Sequence, residues 1–116
     1  MTSEEKEYRD ALNAVERGDE SAKTKVAWYK LSGYGGADVD AKGAVKILKN
    51  RVKENDAEAM WMLGVCNEFG IGIGQDIERA EELYKQSSER GNRIGRILME
   101  NKSRERGSGY LKIHRL

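Results

Sequence analysis

The sequence predicts an all-α chain, a short α-solenoid of antiparallel helix pairs with about six helices. Three observations predict it. Residues 55–92 hold two helical stretches around a glycine loop, and residues 18–55 repeat that unit in degraded form. Ala22 matches Ala59, Val26 matches Leu63, Ala27 matches Gly64 and Gly33 matches Gly70, each 37 residues apart; beyond the loop the offset is 36, pairing Asp40 with Asp76, Ala44 with Ala80, Ile47 with Leu83 and Asn55 with Gly91. One residue gained in a loop is what repeats tolerate, and a period in this range with two helices per unit marks an α-solenoid. The third observation is punctuation: proline is absent, and 13 glycines supply the breaks between helices.

Thr2 with Glu5 three residues on forms a capping box for a first helix, 3–17. Tyr8, Ala11, Leu12 and Val15 fall at helical spacing and Gly18 ends it. Glu16-Arg17-Gly18 echoes Glu89-Arg90-Gly91 at an offset of 73, the sum of the two periods, so this helix is the second half of a repeat without its first. Asp19 or Ser21 starts a second helix, 19–33, striped by Ala22, Val26 and Tyr29 with Trp28 beside them. In the loop Gly33-Tyr34-Gly35-Gly36 three positions are free to take positive φ. Asp40 caps a third helix, 41–54, with Ala44, Val45, Ile47, Leu48 and Val52 on its apolar side. Lys42, Lys46, Lys49 and Lys53 make a row on the opposite face, which a solvated surface explains better than an acidic partner.

The fourth helix, 56–69, with Asn55 and Glu58 as caps, is apolar nearly all round: Met60, Trp61, Met62, Leu63, Val65, Cys66 and Phe69. Such a helix is covered on several sides or offers an apolar face to a partner. Gly64 within it costs about 1 kcal/mol relative to alanine, so close approach of a neighbouring helix backbone is expected there. Asp76 caps a fifth helix, 77–90, with Ala80, Leu83, Tyr84 and Ser87 inward. Its acidic row, Glu78, Glu81, Glu82 and Glu89, would answer the lysine row across a groove. A sixth helix, 92–105, carries Ile94, Ile97 and Leu98 on one side and several arginines on the other. Gly107-Ser108-Gly109 then breaks the pattern. The expected organisation is one solenoid domain, 1–106 (half repeat 1–18, repeats 19–55 and 56–92, partial repeat 93–106), followed by a basic C-terminal tail, 107–116.

Composition narrows the function. A chain of 116 residues has room for one domain, with 38% hydrophobic and 35% charged residues giving a modest core under a charged skin. A net charge of +1 gives no global reason to expect nucleic acid or a membrane. The charge is uneven: residues 93–116 carry seven Lys/Arg against two Glu, a net +5, which leaves −4 on residues 1–92. The N-terminus is acidic without an apolar stretch, no apolar run approaches a membrane span, and Cys66 has no partner for a disulfide; a soluble cytoplasmic protein is expected. No cofactor and no metal is expected. His114 is the one histidine, no His-Cys or His-carboxylate cluster can be assembled, and the glycine loops lack the strand and lysine of a phosphate loop. Cys66, in an apolar helix, reads as a buried inert thiol.

The unit at 57–92 resembles a Sel1-like repeat, a tetratricopeptide-related family with the pattern A-x-A-x-x-x-L-G-x-x-Y-x-x-G-x-G-x-x-x-D-x-x-x-A-x-x-x-Y-x-x-A-A-x-x-G. Ala57, Ala59, Leu63, Gly64, Gly70, Gly72, Asp76, Ala80, Tyr84 and Gly91 meet it in register without a gap, whereas Asn67 replaces the first tyrosine and Ser87-Ser88 the paired alanines. The resemblance implies a right-handed superhelix of antiparallel helix pairs used mainly as an adaptor for proteins and peptides. A few disulfide-rich relatives are linked to β-lactam binding; Cys66 alone does not reproduce their cysteine pairs, and no enzyme is expected.

The expected function is therefore a protein–protein interaction module that holds a protein or peptide partner on the concave face. Alternatives are a small inhibitory or immunity-type protein that blocks one enzyme or effector and, more weakly, nucleic-acid contact through the basic C-terminal region; copies associating through the solenoid ends is a further option. Candidate contacts are positions that the repeat pattern leaves free on the first helix of each pair: Lys23, Thr24, Lys30 and Leu31, then Trp61, Asn67 and Glu68. Trp61 stands out, because interfaces concentrate energy in aromatic anchors rimmed by polar groups.

Overall fold

The computed structural model describes the backbone of residues 1–114 and the side chains of residues 1–105. Among them are six α-helices and no strand: α1 (Ser3–Glu16), α2 (Ala22–Ser32), α3 (Ala41–Lys53), α4 (Ala57–Phe69), α5 (Ile77–Glu89) and α6 (Arg93–His114), with a single 3₁₀ turn at Tyr34–Gly36. The all-α helical-repeat solenoid expected from the periodicity is what the chain forms.

The caps follow the repeat. Thr2 accepts from the Glu5 amide, Asp40 from the Gly43 amide and Asp76 from the Arg79 amide, each satisfying an otherwise orphan donor of the first turn. At α4 the cap is Asp56, whose side chain accepts from the Glu58 and Ala59 amides, not Asn55 or Glu58 as the sequence suggested. Asn55 instead closes the preceding turn at φ +62, the one non-glycine residue with positive φ among those described. Gly18 (φ +93) and Gly91 (φ +81) hold the equivalent places one repeat either side. Asparagine tolerates this conformation better than other side chains do, which is how the degraded repeat lost its glycine without losing its turn.

The sixth helix does not end where expected. It passes through Gly107-Ser108-Gly109 to His114, so no helix end marks the boundary drawn after residue 106. Glycine weakens a helix by about 1 kcal/mol each but does not forbid it, and extension of an existing helix adds a hydrogen bond for each residue fixed.

Helices pack in sequence order, α1 on α2, α2 on α3, and so on to α5 on α6. The central helix α4 also meets α2 and α6, which explains its apolar circumference; α1 approaches neither α4 nor α6. The result is elongated, 56 × 25 × 25 Å. Ala27, Ala44, Val45, Leu48, Ala59, Met60, Met62, Leu63, Cys66 and Leu83 form one continuous core. Tyr84 and Ala80 are fully buried beside it. Gly64 faces α5, where a Cβ would stand 2.5 Å from the Tyr84 ring and 3.3 Å from the Ala80 carbonyl oxygen, so a side-chain ring sets the close approach more than a backbone does. The loops seat on the preceding repeat: at Gly72 a Cβ would meet the Ala41 carbonyl, and at Gly35 the Glu4 carbonyl. Gly35 and Glu4 stand one 37-residue period before Gly72 and Ala41.

Lys42, Lys46, Lys49 and Lys53 are exposed. Among the described residues α3 and α5 do not touch, so the groove across which the lysine row and the α5 glutamates were expected to face each other is not formed; Arg79 and Glu82 pair within α5.

Candidate partner-binding groove

The first helices of the pairs, α2, α4 and the start of α6, together with α1, enclose an open groove of about 870 Å³. Its aromatic wall is Trp28 and Trp61, with ring centroids 6.5 Å apart and planes tilted by 57°. Trp28 is 39% exposed, and Trp61 is half-buried against the core. The Trp61 indole nitrogen is out of reach of water and donates to nothing, alone in this among the buried side-chain polar atoms described. A buried donor without an acceptor is worth about 1–3 kcal/mol of penalty.

Carboxylates surround the indoles. Asp56 is the most firmly held: Thr24 Oγ1 donates to it at 2.6 Å and Arg51 Nε at 3.3 Å, joining α2, α3 and α4 at one side chain. Glu58 accepts from Asn92 at 3.1 Å, Glu7 from the Tyr29 hydroxyl at 3.0 Å, and Asp10 pairs with Lys6 at 3.1 Å. The Ser21 hydroxyl donates to Asp19 at 2.6 Å and is the main reason that carboxyl lies below its usual range. Burial and the Glu7 bond push the Tyr29 phenol upward. Glu7, Asp10, Asp19 and Glu58 are exposed, and Lys25 is the one basic side chain on the groove wall.

The sequence candidates separate. Thr24 and Trp61 line the groove, Thr24 with its hydroxyl committed to Asp56. Lys23 pairs with Glu20 at 2.7 Å and faces a second depression, about 660 Å³, against α3. Lys30 reaches Asp40 at 3.9 Å, and Leu31 packs on the core. Asn67 and Glu68 are buried. Asn67 Nδ2 donates to the Leu63 carbonyl at 3.0 Å within its own helix. Glu68 accepts from the Tyr84 hydroxyl at 2.7 Å and pairs with Lys102 at 2.5 Å, which fastens α6 to the preceding pair. The residues missed were Trp28, Lys25 and Glu58. Trp28 lies four residues beyond Thr24, so one helix face presents both, and that spacing would have found it.

Cys66 is fully buried, and burial pushes its thiol up to about 11. Among the described residues no three His, Cys, Asp or Glu side chains gather as for a metal, and no helix is long and apolar enough to cross a membrane.

Comparison with known proteins agrees with this architecture. Residues 57–92 match the family model of the Sel1 repeat. A Sel1 repeat protein from Oxalobacter formigenes is similar in structure with a TM-score of 0.68 and 25% identity, over 80% of this chain and 69% of that one. A protective antigen of uropathogenic Escherichia coli strains, described as displaying an SLR fold, has a TM-score of 0.65 at 22% identity over 79% of this chain, which spans only 20% of that protein. The repeat matched at 57–92 and the shared fold agree: residues 57–92 form a Sel1 repeat, in a chain whose fold is similar to that of Sel1 repeat proteins.

Proposed function

We propose that the chain is an adaptor-type interaction module whose groove along α2, α4 and α6 holds a segment of a partner protein, in the cytoplasmic setting expected from the sequence. Sel1 repeats generally mediate protein–protein interaction and are typically non-catalytic. The observation that carries the proposal is the pair of indoles on the groove wall, Trp28 substantially exposed beside Trp61. Aromatic anchors in a concave, polar-rimmed site are where interfaces concentrate their energy.

The test compares the wild-type chain with Trp28→Ala as baits in an extract of the source cells, with thermal melts alongside. Partners lost from Trp28→Ala while the melt stays within a few degrees support the groove. Partners retained undiminished by that variant remove it. An isolated partner that keeps its activity in the complex marks an adaptor, and one that loses it marks an inhibitor.

A further inference from the structure

We infer that the groove takes a cationic segment of its partner, one that carries Lys or Arg side chains among apolar ones; this rests on the groove being the binding site proposed above. Five carboxylates, Glu7, Asp10, Asp19, Asp56 and Glu58, line it against the single ammonium of Lys25. Four of the five are exposed, so their charge is directed at whatever enters rather than spent inside the fold. Asp56 is answered by Arg51 and Asp10 by Lys6, the latter in a surface pair that stays in water.

The indoles suit the same occupant. A guanidinium or ammonium is attracted to an indole face within about 6 Å of the ring centroid, and two tilted indoles 6.5 Å apart present such faces within one side chain's reach. The apolar stem of Lys or Arg lies along the rings while its charged end reaches the carboxylate rim. The partnerless Trp61 N–H adds a second term. A peptide carbonyl entering beside the ring gives it an acceptor once the ring turns toward the groove, so binding relieves a penalty already present in the free protein. An acidic segment would gain neither and would meet like charge along the whole rim.

The experiment is a peptide array of constant apolar content in which net charge is stepped from strongly negative to strongly positive, probed with the full chain. Retention should rise with positive charge. The best cationic peptide should shift the tryptophan emission and weaken with added salt, and it should lose roughly tenfold in affinity to Asp10→Asn/Glu58→Gln. Lys25→Glu should tighten it, an outcome that no loss of folding can mimic. Retention that is flat or rises toward negative charge overturns the charge assignment; the groove itself still stands if Trp28→Ala abolishes capture of the natural partner. Cationic peptides held equally well by Trp28→Ala show that they bind elsewhere, which also overturns it. Sedimentation of the chain alone covers one other occupant. A dimer abolished by Asp10→Asn/Glu58→Gln would assign the groove to the basic residues 104–116 of a second copy and overturn a foreign partner.

Discussion

Three equivalent positions in the two repeats hold opposite chemistry. Leu31, Leu48 and Cys66 occupy one joint, and Glu68, Tyr84 and Lys102 occupy the same joint one repeat on. The first three belong to the apolar core or pack against it. The second three form a buried chain in which Tyr84 donates to one oxygen of Glu68 while Lys102 holds the other. Apolar contacts are indifferent to partner identity, so the inner joint gains free energy by burial alone. An ion pair out of water contributes little net stability but is costly to break on one side. The fold thus tolerates opposite solutions at one site, and the outer solution ties the last helix to a particular register and makes that joint sensitive to pH.

The largest expected effect comes from breaking the outer joint. Glu68→Ala leaves the Tyr84 hydroxyl without its acceptor and the Lys102 ammonium with Glu105 alone, and should cost about 3 kcal/mol in denaturant unfolding, the low end for a buried pair because Lys102 keeps Glu105 and some contact with water. Transplanting the inner solution, Glu68→Leu with Tyr84→Leu, Lys102→Cys and Gly64→Ala, should recover much of that loss. A transplant less stable than Glu68→Ala would show that the two joints are not interchangeable. Gly64→Ala alone should cost about 1–3 kcal/mol through collision with the Tyr84 ring. A double-mutant cycle with Tyr84→Leu should show favourable coupling of about 0.5 kcal/mol or more, because Ala27 and Leu48 already coexist at the matching places.

Alkali should separate the joints next. Cys66 and Tyr84 are held protonated chiefly by burial, and Lys102 chiefly by the hydrogen bond it donates to Glu68, so all three lie above their ordinary values. A raised group stabilises fully below its unfolded pKa, and that contribution is lost as pH climbs through the folded value. The unfolded chain releases protons there that the folded chain keeps. Stability should fall by about 2 kcal/mol from pH ~9 to ~11, and the transplanted chain made with Lys102→Leu in place of Lys102→Cys, which loses Tyr84 and Lys102 and gains no thiol, should fall less. Equal slopes in urea titrations of the two chains would remove the outer joint as the source. The smallest effect concerns Asn55 against Gly91: Asn55→Ala should cost about 1 kcal/mol, since alanine has no help in the left-handed region, whereas Asn55→Gly should melt nearly unchanged.

The helices were legible because their ends are local. Asp40 and Asp76 announce helix starts, Gly33 and Gly70 announce stops, and the 37 and 36 offsets place the repeats over each other. Gly64 was legible as a close contact but not its cause, which lies on another helix. Asp56 was overlooked for Asn55 because both are good caps and only the chain's path decides between them. Glu68 was read as a surface residue because its partner Lys102 is 34 positions away, on a helix whose pattern gives no sign of reaching back. Trp61 was found through the repeat pattern; the acidic setting around it comes from α1, α4 and the turn between α1 and α2, which no periodicity brings together.

Helix α1 approaches neither α4 nor α6, yet residues of all three wall the groove. In an array held by neighbours, distant parts open independently of one another. A molecule lodged across that wall would act as a brace between segments that otherwise sense each other only through α2. Hydrogen exchange would register it as slowed opening at both ends at once, with the coordinates of neither end having to move.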